Sequence, residues 1–444
     1  MDAAILSKLL SPDGRALLGA LPPYDERSAM RTSTKLREQG VAPDLAAAAL
    51  TQSRLRSRAR TKFGELAGQM LFTADGLEQA TRLRVASLHA DRFTDAGVTH
   101  VADLTSGIGA DAMAFAGAGL RVLATDIDEV TARIAAWNLR QFPEAEARHA
   151  DGLALDLGAE RADGVYADPA RRTRGPGGSR RVFDPRGYEP ALDRVFALRD
   201  AVPALGVKVG PGIPHEGLPH DAEAQWVSVD NDVVEAGLWF GPLAAGGPGR
   251  SALVVRTTVD RDGKEHTRTR VLRASDHPDG VALEAPTGEV GQYLYEPDGA
   301  VIRAGLVAHA AVELNGRLVD PTIAYITTDS PAPAPSPDRV APPGAPPGGA
   351  GPAGEPALDL AGPAPIATGY RVLDTLPFGL KRLKGYLRER NVGQLTIKKR
   401  GTAVVPEQLR KQLVLTGTEA ATIVLTRVAG TQTVLLVEPL RSGT

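Results

Sequence analysis

"VADLTSGIGADAMAFAGAGLRVLATDID", Val101 to Asp128, sets a glycine-rich turn between two short apolar runs, each closed by a carboxylate. A strand, a tight turn into a helix and a second strand are the opening of a parallel βαβ unit. Asp103 ends the first run, and "TSGIGA" leads into a helix that stops near Gly117–Gly119. Glycines at 107 and 109 permit positive φ and let a ligand approach the backbone closely. The second run, "RVLAT", closes on Asp126, nineteen positions after Gly107. A carboxylate at that neighbouring strand end can accept hydrogen bonds from ribose hydroxyls.

The same alternation continues outward. From about 98 to 258 the spacing predicts strands at His100–Leu104, Arg121–Asp126, Ala147–Ala150, Gly164–Asp168, Gly206–Val209, Gln225–Val229 and Ala252–Thr257, with helical patterns between them. Strand–helix alternation implies an α/β fold with a parallel sheet covered on both faces. Asp151 follows the third strand in "RHADGLAL", and "DGVYADPARR" ends the fourth on Asp168-Pro169. The G-x-G-x-x-A spacing of Gly107, Gly109 and Ala112 fits a dinucleotide or S-adenosylmethionine equally well. Asp103 separates them: a carboxylate repels a pyrophosphate but favours a ligand carrying an ammonium and a sulfonium. Capping of the following helix is the competing role for Asp126 and for Asp151.

The 444 residues are too many for one core and imply several domains. An apolar share of 43% with 23% charged residues is that of a globular protein. A net charge of −2 gives no global attraction to nucleic acid, so any such attraction must be local. The absence of cysteine excludes disulfides, thiolate metal sites and cysteine nucleophiles, and with them methylation of pyrimidine carbon 5 through a cysteine adduct. His215, Glu216 and His220 lack the H-E-x-x-H spacing, so no metal is expected. The opening "MDAAILSKLLSPDGRALLGALPP" does not read as a signal peptide, and no run approaches the ~20 apolar residues of a membrane span. A cytoplasmic protein is the expectation.

Five regions are predicted: a helical region over 1–95, with long helices across Ala47–Arg60 and Leu77–Arg92; a core over 96–260; a connecting segment over 261–329 with a helical "AVIRAGLVAHAAVEL"; a Pro/Gly/Ala-rich linker over 330–365; and a compact unit over 366–444. The last unit is read as β, helix Gly379–Arg390, strand Gln394–Lys398, helix Pro406–Leu413, then strands Thr422–Arg427 and Thr433–Val437.

"DLTSGIGADAMAFA", "VLATDID" and "GVYADPARR" resemble the class I S-adenosylmethionine-dependent methyltransferases, most of all a bacterial group with a C-terminal THUMP-like domain. "FTADGLEQATRLRVASLHADRF", "YLYEPDGAVIRAG" and "GYRVLDTLPFGLKRLKGYLRERNVGQLTIKKRG" extend the resemblance over most of the chain outside the linker. It implies a Rossmann-like seven-stranded methyltransferase sheet with an antiparallel last strand, an N-terminal helical region and a small α+β, ferredoxin-like C-terminal domain. It also implies S-adenosylmethionine as cofactor and RNA, such as tRNA or rRNA, as substrate.

Carried over by position, Asp103, Thr105, Ser106, Gly107 and Gly109 hold the methionine part, Asp126 and Ile127 the ribose and its surroundings, and Asp151 and Gly152 the adenine. Asp168, Pro169 and Arg171 face the acceptor. The sequence departs from enzymes that methylate exocyclic amines: Ala170 stands where a second proline is usual, and Arg171 replaces an aromatic. Direct attack by a nitrogen or an oxygen remains.

Basic segments supply the RNA contacts expected. "RRTRGPGGSRRVFD" follows Asp168 and offers Arg172 and Arg174 to phosphates, and "TIKKRG" offers Lys398, Lys399 and Arg400. Solvated surface is the competing reading of both, and of "RLRSRARTK" from Arg54 to Lys62. Lys208, in "VKVGPGIP", suits either a phosphate or a neighbouring acid. Trp226, Trp239 and Tyr188 are expected in the core or its walls. A small-molecule methyltransferase and a non-catalytic RNA-binding protein are the alternative functions; a nicotinamide enzyme conflicts with Asp103 and Asp168.

Overall fold

The computed structural model describes residues 1–171, 187–260, 262–263, 265–274, 284–333 and 365–440. They form two compact units, the first comprising Met1–Val209, Ile213–Ala222 and Leu238–Ala245.

The first unit opens with helices α1 (Ala3–Leu10), α2 (Pro12–Ala20), α3 (Ala29–Glu38), α4 (Pro43–Phe63), α5 (Ala74–Gln79) and α6 (Leu83–Asp95). Asp2, Ser11 and Thr73 cap α1, α2 and α5 by accepting from the N–H groups of Ile5, Gly14 and Gly76. On α4 the buried residues Ala46, Ala49, Gln52, Leu55, Ala59 and Phe63 recur at helical spacing and form its inner face. The long helix expected over Leu77–Arg92 is two helices with a break at Ala80–Arg82. The Lys62 ammonium causes it: it takes the carbonyls of Leu77, Glu78 and Ala80 at 2.7–2.8 Å, which ends α5.

The βαβ reading of the opening stretch holds. Strands β1 (His100–Asp103), β2 (Arg121–Asp126), β3 (Ala145–His149) and β4 (Gly164–Ala167) alternate with α7 (Ala110–Gly117), α8 (Glu129–Leu139) and the single turn α9 (Leu157–Glu160). A short pair, β5 (Ala170–Arg171) with β6 (Tyr188–Glu189), precedes α10 (Leu192–Phe196) and β7 (Leu205–Val209). The order is β7-β4-β1-β2-β3, all pairs parallel. Registers Asp103↔Tyr166 and Ala167↔Val207 bring Asp103, Asp168 and Lys208 to the same sheet edge. Beneath them Phe93, Phe115, Tyr166 and Trp239 pack edge to face at 5.0–6.4 Å.

In the second unit, β8 (Glu223–Val229) and β9 (Asp232–Trp239) meet through a two-residue turn, Asp230-Asn231, with φ of 51° and 76°. Positive φ at both positions is what a tight hairpin requires. This hairpin's second strand and β11 (Glu265–Arg273) are additional to the seven predicted. The expected last strand, within β10 (Gly249–Val259), runs parallel to β8, and the antiparallel neighbour of β10 is β11. Trp226, Trp239 and Tyr188 are buried, as expected.

A second sheet, in the order β13-β14-β12-β15-β18-β17-β16, contains β12 (Tyr293–Pro297), β13 (Arg317–Asp320), β14 (Ile323–Thr328), β15 (Ala367–Pro377), β16 (Val392–Lys399), β17 (Glu419–Val428) and β18 (Thr431–Pro439). Helices α11 (Gly299–Arg303) and α12 (Val307–Glu313) lie between β12 and β13, and α13 (Leu380–Glu389) and α14 (Pro406–Leu413) flank β16. Strand β15 pairs with both β12 and β18, so residues on either side of the Pro/Gly-rich stretch share one sheet. Most of that stretch, 334–364, lies outside the described residues.

One buried amide ties the helical region of the first unit to its sheet. Asn138 accepts from the Leu71 N–H at 2.8 Å and donates to the carbonyls of Leu71 and Ile108 at 3.1 and 2.8 Å. Replacing Asn138 with Leu strands three buried backbone groups and is expected to cost about 3 kcal/mol. Urea unfolding would show it; an unshifted midpoint would refute the role.

Candidate active site

A cavity of about 340 Å³ opens at the carboxyl ends of β1, β2 and β4. Nine of the residues singled out from the sequence line it: Asp103, Thr105, Ser106, Gly107, Asp126 and Ile127, then Asp151, Gly152 and Asp168. Gly109 and Pro169 are buried. The backbone of Arg171 pairs with Tyr188, while its side chain, and Arg172 and Arg174 entirely, lie outside the described residues.

Asp103 dominates the electrostatics. It is 1% exposed, and neither carboxylate oxygen has a hydrogen-bond partner among the described residues. Burial, then the charges of Asp111, Asp168 and Asp126, push its pKa well above the ordinary carboxylate range. An isolated buried carboxylate of this kind is costly until a cation reaches it. The Ser106 hydroxyl is likewise buried without a partner among the described residues. These orphaned groups match the ammonium end of S-adenosylmethionine and oppose a phosphate.

The turn between β1 and α7 is left-handed at Gly107 (φ 55°) and Gly109 (φ 83°), which side chains resist. Asp126 closes it, one oxygen accepting from the Gly107 N–H at 3.1 Å and the other from the Asp128 N–H at 2.9 Å. Burial raises the Asp126 pKa despite these bonds. Ile127 beside it is 75% exposed, an apolar face at the cavity's rim. Asp151 does cap a single turn, accepting from the Leu153 N–H at 3.0 Å, and it also faces the cavity. Gly152 is required for space, since a Cβ there would fall 2.4 Å from the Leu104 carbonyl oxygen.

Asp168 sits where β4 ends, its N–H donating to the Thr105 hydroxyl at 2.7 Å. Of the two roles open to Lys208, the structure selects pairing with an acid: its ammonium lies 2.5 Å from Asp168 Oδ2. Gln79, Thr81, Glu189 and Arg194 line the same cavity and were missed. The one signal for Thr81 was its position in the quoted segment "FTADGLEQATRLR", which a continuous helix conceals.

In the second unit, Lys398 and Arg400 share Glu296, at 2.7 and 3.4 Å, and Lys399 donates to the Val404 carbonyl at 2.9 Å. Their charge is therefore partly neutralised within the protein. Lys381, Arg382, Arg388, Arg410 and Lys411, on α13 and α14, are exposed.

Comparison with known proteins agrees with this architecture. A family described as THUMP domain-like matches residues 367–439, and a domain of unknown function matches residues 2–59. Two uncharacterized S-adenosylmethionine-dependent methyltransferases of Mycobacterium tuberculosis, from strains CDC 1551 and H37Rv, are each 32% identical over 387 residues, 84% of this chain and 90% of theirs. The crystal structure of a methyltransferase from Porphyromonas gingivalis W83 has a TM-score of 0.65 at 19% identity, covering 95% of this chain and all of its own, and so shares the fold.

Because burial and the neighbouring acids raise the Asp103 pKa and a bound cation lowers it, binding should release a proton. The affinity for S-adenosylmethionine should therefore tighten as the pH rises above the ordinary carboxylate range, by up to about tenfold per unit. Calorimetry in buffers of different ionisation enthalpy measures both effects. Asp103→Asn should weaken binding and flatten the dependence; a pH-independent wild type would contradict the assignment.

Proposed function

Since the chain belongs to the S-adenosylmethionine-dependent methyltransferases, we propose that it methylates an N–H nitrogen of an RNA nucleotide. Asp103, the Ser106 hydroxyl and the turn at Gly107 and Gly109 hold the methionine part of the cofactor. Asp126 takes the ribose, and Ile127, Asp151 and Gly152 surround the adenine. S-adenosylmethionine supplies a methyl group on a sulfonium, an electrophile that needs no further activation.

This chain's residues then align the acceptor. Asp168, on the cavity wall and paired with Lys208, is an ionised carboxylate that only accepts hydrogen bonds. A nitrogen bearing hydrogen satisfies it, as a hydroxyl also would, whereas a lone-pair-only nitrogen or a carbonyl oxygen does not. Asp168 would accept the proton that the nitrogen loses on taking the methyl group that S-adenosylmethionine would supply. Pro169 stiffens the backbone beside this contact.

The observation that carries RNA as substrate is the distribution of charge. The whole chain is net −2, yet residues 367–439 hold twelve Lys and Arg against five Asp and Glu. A basic module of THUMP-like type suits phosphate contacts that position a substrate without reading its sequence. The exposed basic residues of α13 and α14 carry that role, alongside Lys398, Lys399 and Arg400.

Three outcomes are expected. Nucleoside mass spectrometry of RNA from cells lacking the gene should miss one N-methylated nucleoside; an unchanged spectrum would refute RNA as substrate. RNA binding should weaken by tenfold or more between about 50 and 200 mM salt, through counterion release. Asp168→Ala should lower transfer by at least about 100-fold with cofactor affinity intact, as the loss of a positioned proton acceptor predicts.

A further inference from the structure

Behind Asp168, a line of polar groups runs from the cavity into the core. Lys208, 13% exposed at its side chain, donates to Asp168 Oδ2 at 2.5 Å and to the Thr81 hydroxyl at 2.9 Å. Thr81 donates in turn to Asp111 Oδ2 at 2.6 Å, and Asp111 Oδ1 meets His89 Nδ1 at 2.8 Å. The Tyr166 hydroxyl closes the line, 3.2 Å from the same nitrogen. Five elements contribute: β4, β7, the break between α5 and α6, α7 and α6.

We infer that Lys208 is a positioning residue for methyl transfer, held by Thr81 and Asp111 so that it fixes the Asp168 carboxylate against the acceptor. The inference rests on the proposed role of Asp168 and adds the device that makes it reliable.

Three features carry it. First, the register Ala167↔Val207 makes Asp168 and Lys208 neighbours at adjacent strand ends, so the pair is set by the sheet rather than by a mobile loop. Second, the line is most open at Asp168. Thr81 and Asp111 also line the cavity but, like His89, are each under 10% exposed, whereas the Asp168 side chain is 32% exposed. A purely structural staple has no reason to be most open where the ligand enters. Third, the charges alternate. Burial raises the Asp111 pKa, but the bond and charge of His89, the charge of Lys208 and the Thr81 hydroxyl outweigh it and hold the group below the ordinary range. An ionised Asp111 beyond Thr81 balances the ammonium that would otherwise be stranded in the sheet.

Lys62 secures the hinge of this arrangement. Its three bonds to the Leu77, Glu78 and Ala80 carbonyls hold the turn that presents Thr81. Thr81 is therefore delivered by one lysine and read by another.

The test uses the full chain with radiolabelled S-adenosylmethionine and total RNA from cells lacking the gene. Lys208→Met should lower transfer at saturating RNA by about 100-fold, the scale of a misplaced reacting group. Cofactor affinity by calorimetry should stay within about twofold, since the bonds of Lys208 to Asp168 and Thr81 reach none of the residues assigned to the cofactor. Lys208→Arg should restore most of the rate, and Thr81→Val, which removes the hydroxyl but keeps the fold, should lower it by about tenfold. A crystal structure of Lys208→Met should show the Asp168 carboxylate turned from its wild-type position. Full activity of Lys208→Met and Thr81→Val, with Asp168→Ala inactive, would overturn the inference and leave the role of Asp168 standing. If Lys208→Met does not fold, Thr81→Val decides alone. If the wild-type protein labels no RNA, the reading of Asp168 on RNA falls, and this inference with it.

Discussion

The parallel pairing of β4, β1 and β2 governs this protein. It stacks three strand ends side by side and so forces Asp103, Asp126 and Asp168 onto one edge of one sheet. Like charges so close are unfavourable, most of all for Asp103, which is buried and has no hydrogen-bond partner among the described residues. The rest of the first unit meets that cost. Its core, from Leu6 through Phe93 and Phe115 to Trp239, supplies the apolar burial that allows a strained edge to persist. A cationic ligand then relieves what the fold cannot.

The two halves of the edge use opposite electrostatic strategies. At Asp103, the carboxylate is left without compensation among the described residues, which favours a ligand bearing positive charge. On the acceptor side, Asp168 is compensated by Lys208, and the lysine by Thr81 and Asp111. An uncompensated acid attracts a cation; one paired with a lysine is held ready to accept a hydrogen bond or a proton. In the proposed function, these two behaviours would separate a sulfonium compound from the group it alkylates. In the second unit, the exposed basic residues of α13 and α14 stand on a module rich in lysine and arginine.

Much of this was legible in the sequence because it is local. Turn glycines, apolar runs and the acids that close them act over a few residues, so the βαβ order, four carboxylates and the helix–strand plan of residues 367–439 all emerged with boundaries shifted by a few residues at most. The errors differ in cause. The helix break at Ala80–Arg82 depends on Lys62, fifteen to eighteen residues upstream of the carbonyls it takes. The hairpin strand β9 was overlooked although Asp230-Asn231, the pair that turns it, is a recognisable signal.

The sequence by itself determined the fold class, the methyltransferase family and nine of the residues that line the cavity, since each is encoded by residue type at short fixed spacing. Tertiary structure alone decided what those residues contact. Lys208 could have met a phosphate, and only the sheet register brought it to Asp168, forty residues away, and to Thr81, 127 away. Lys398 and Arg400 read as open cations until Glu296 was found between them. The Pro/Gly-rich stretch reads as a boundary, yet β12 and β15 pair across it. In each case a charge or a strand edge takes whichever partner packing delivers, and distance along the chain carries no record of that choice.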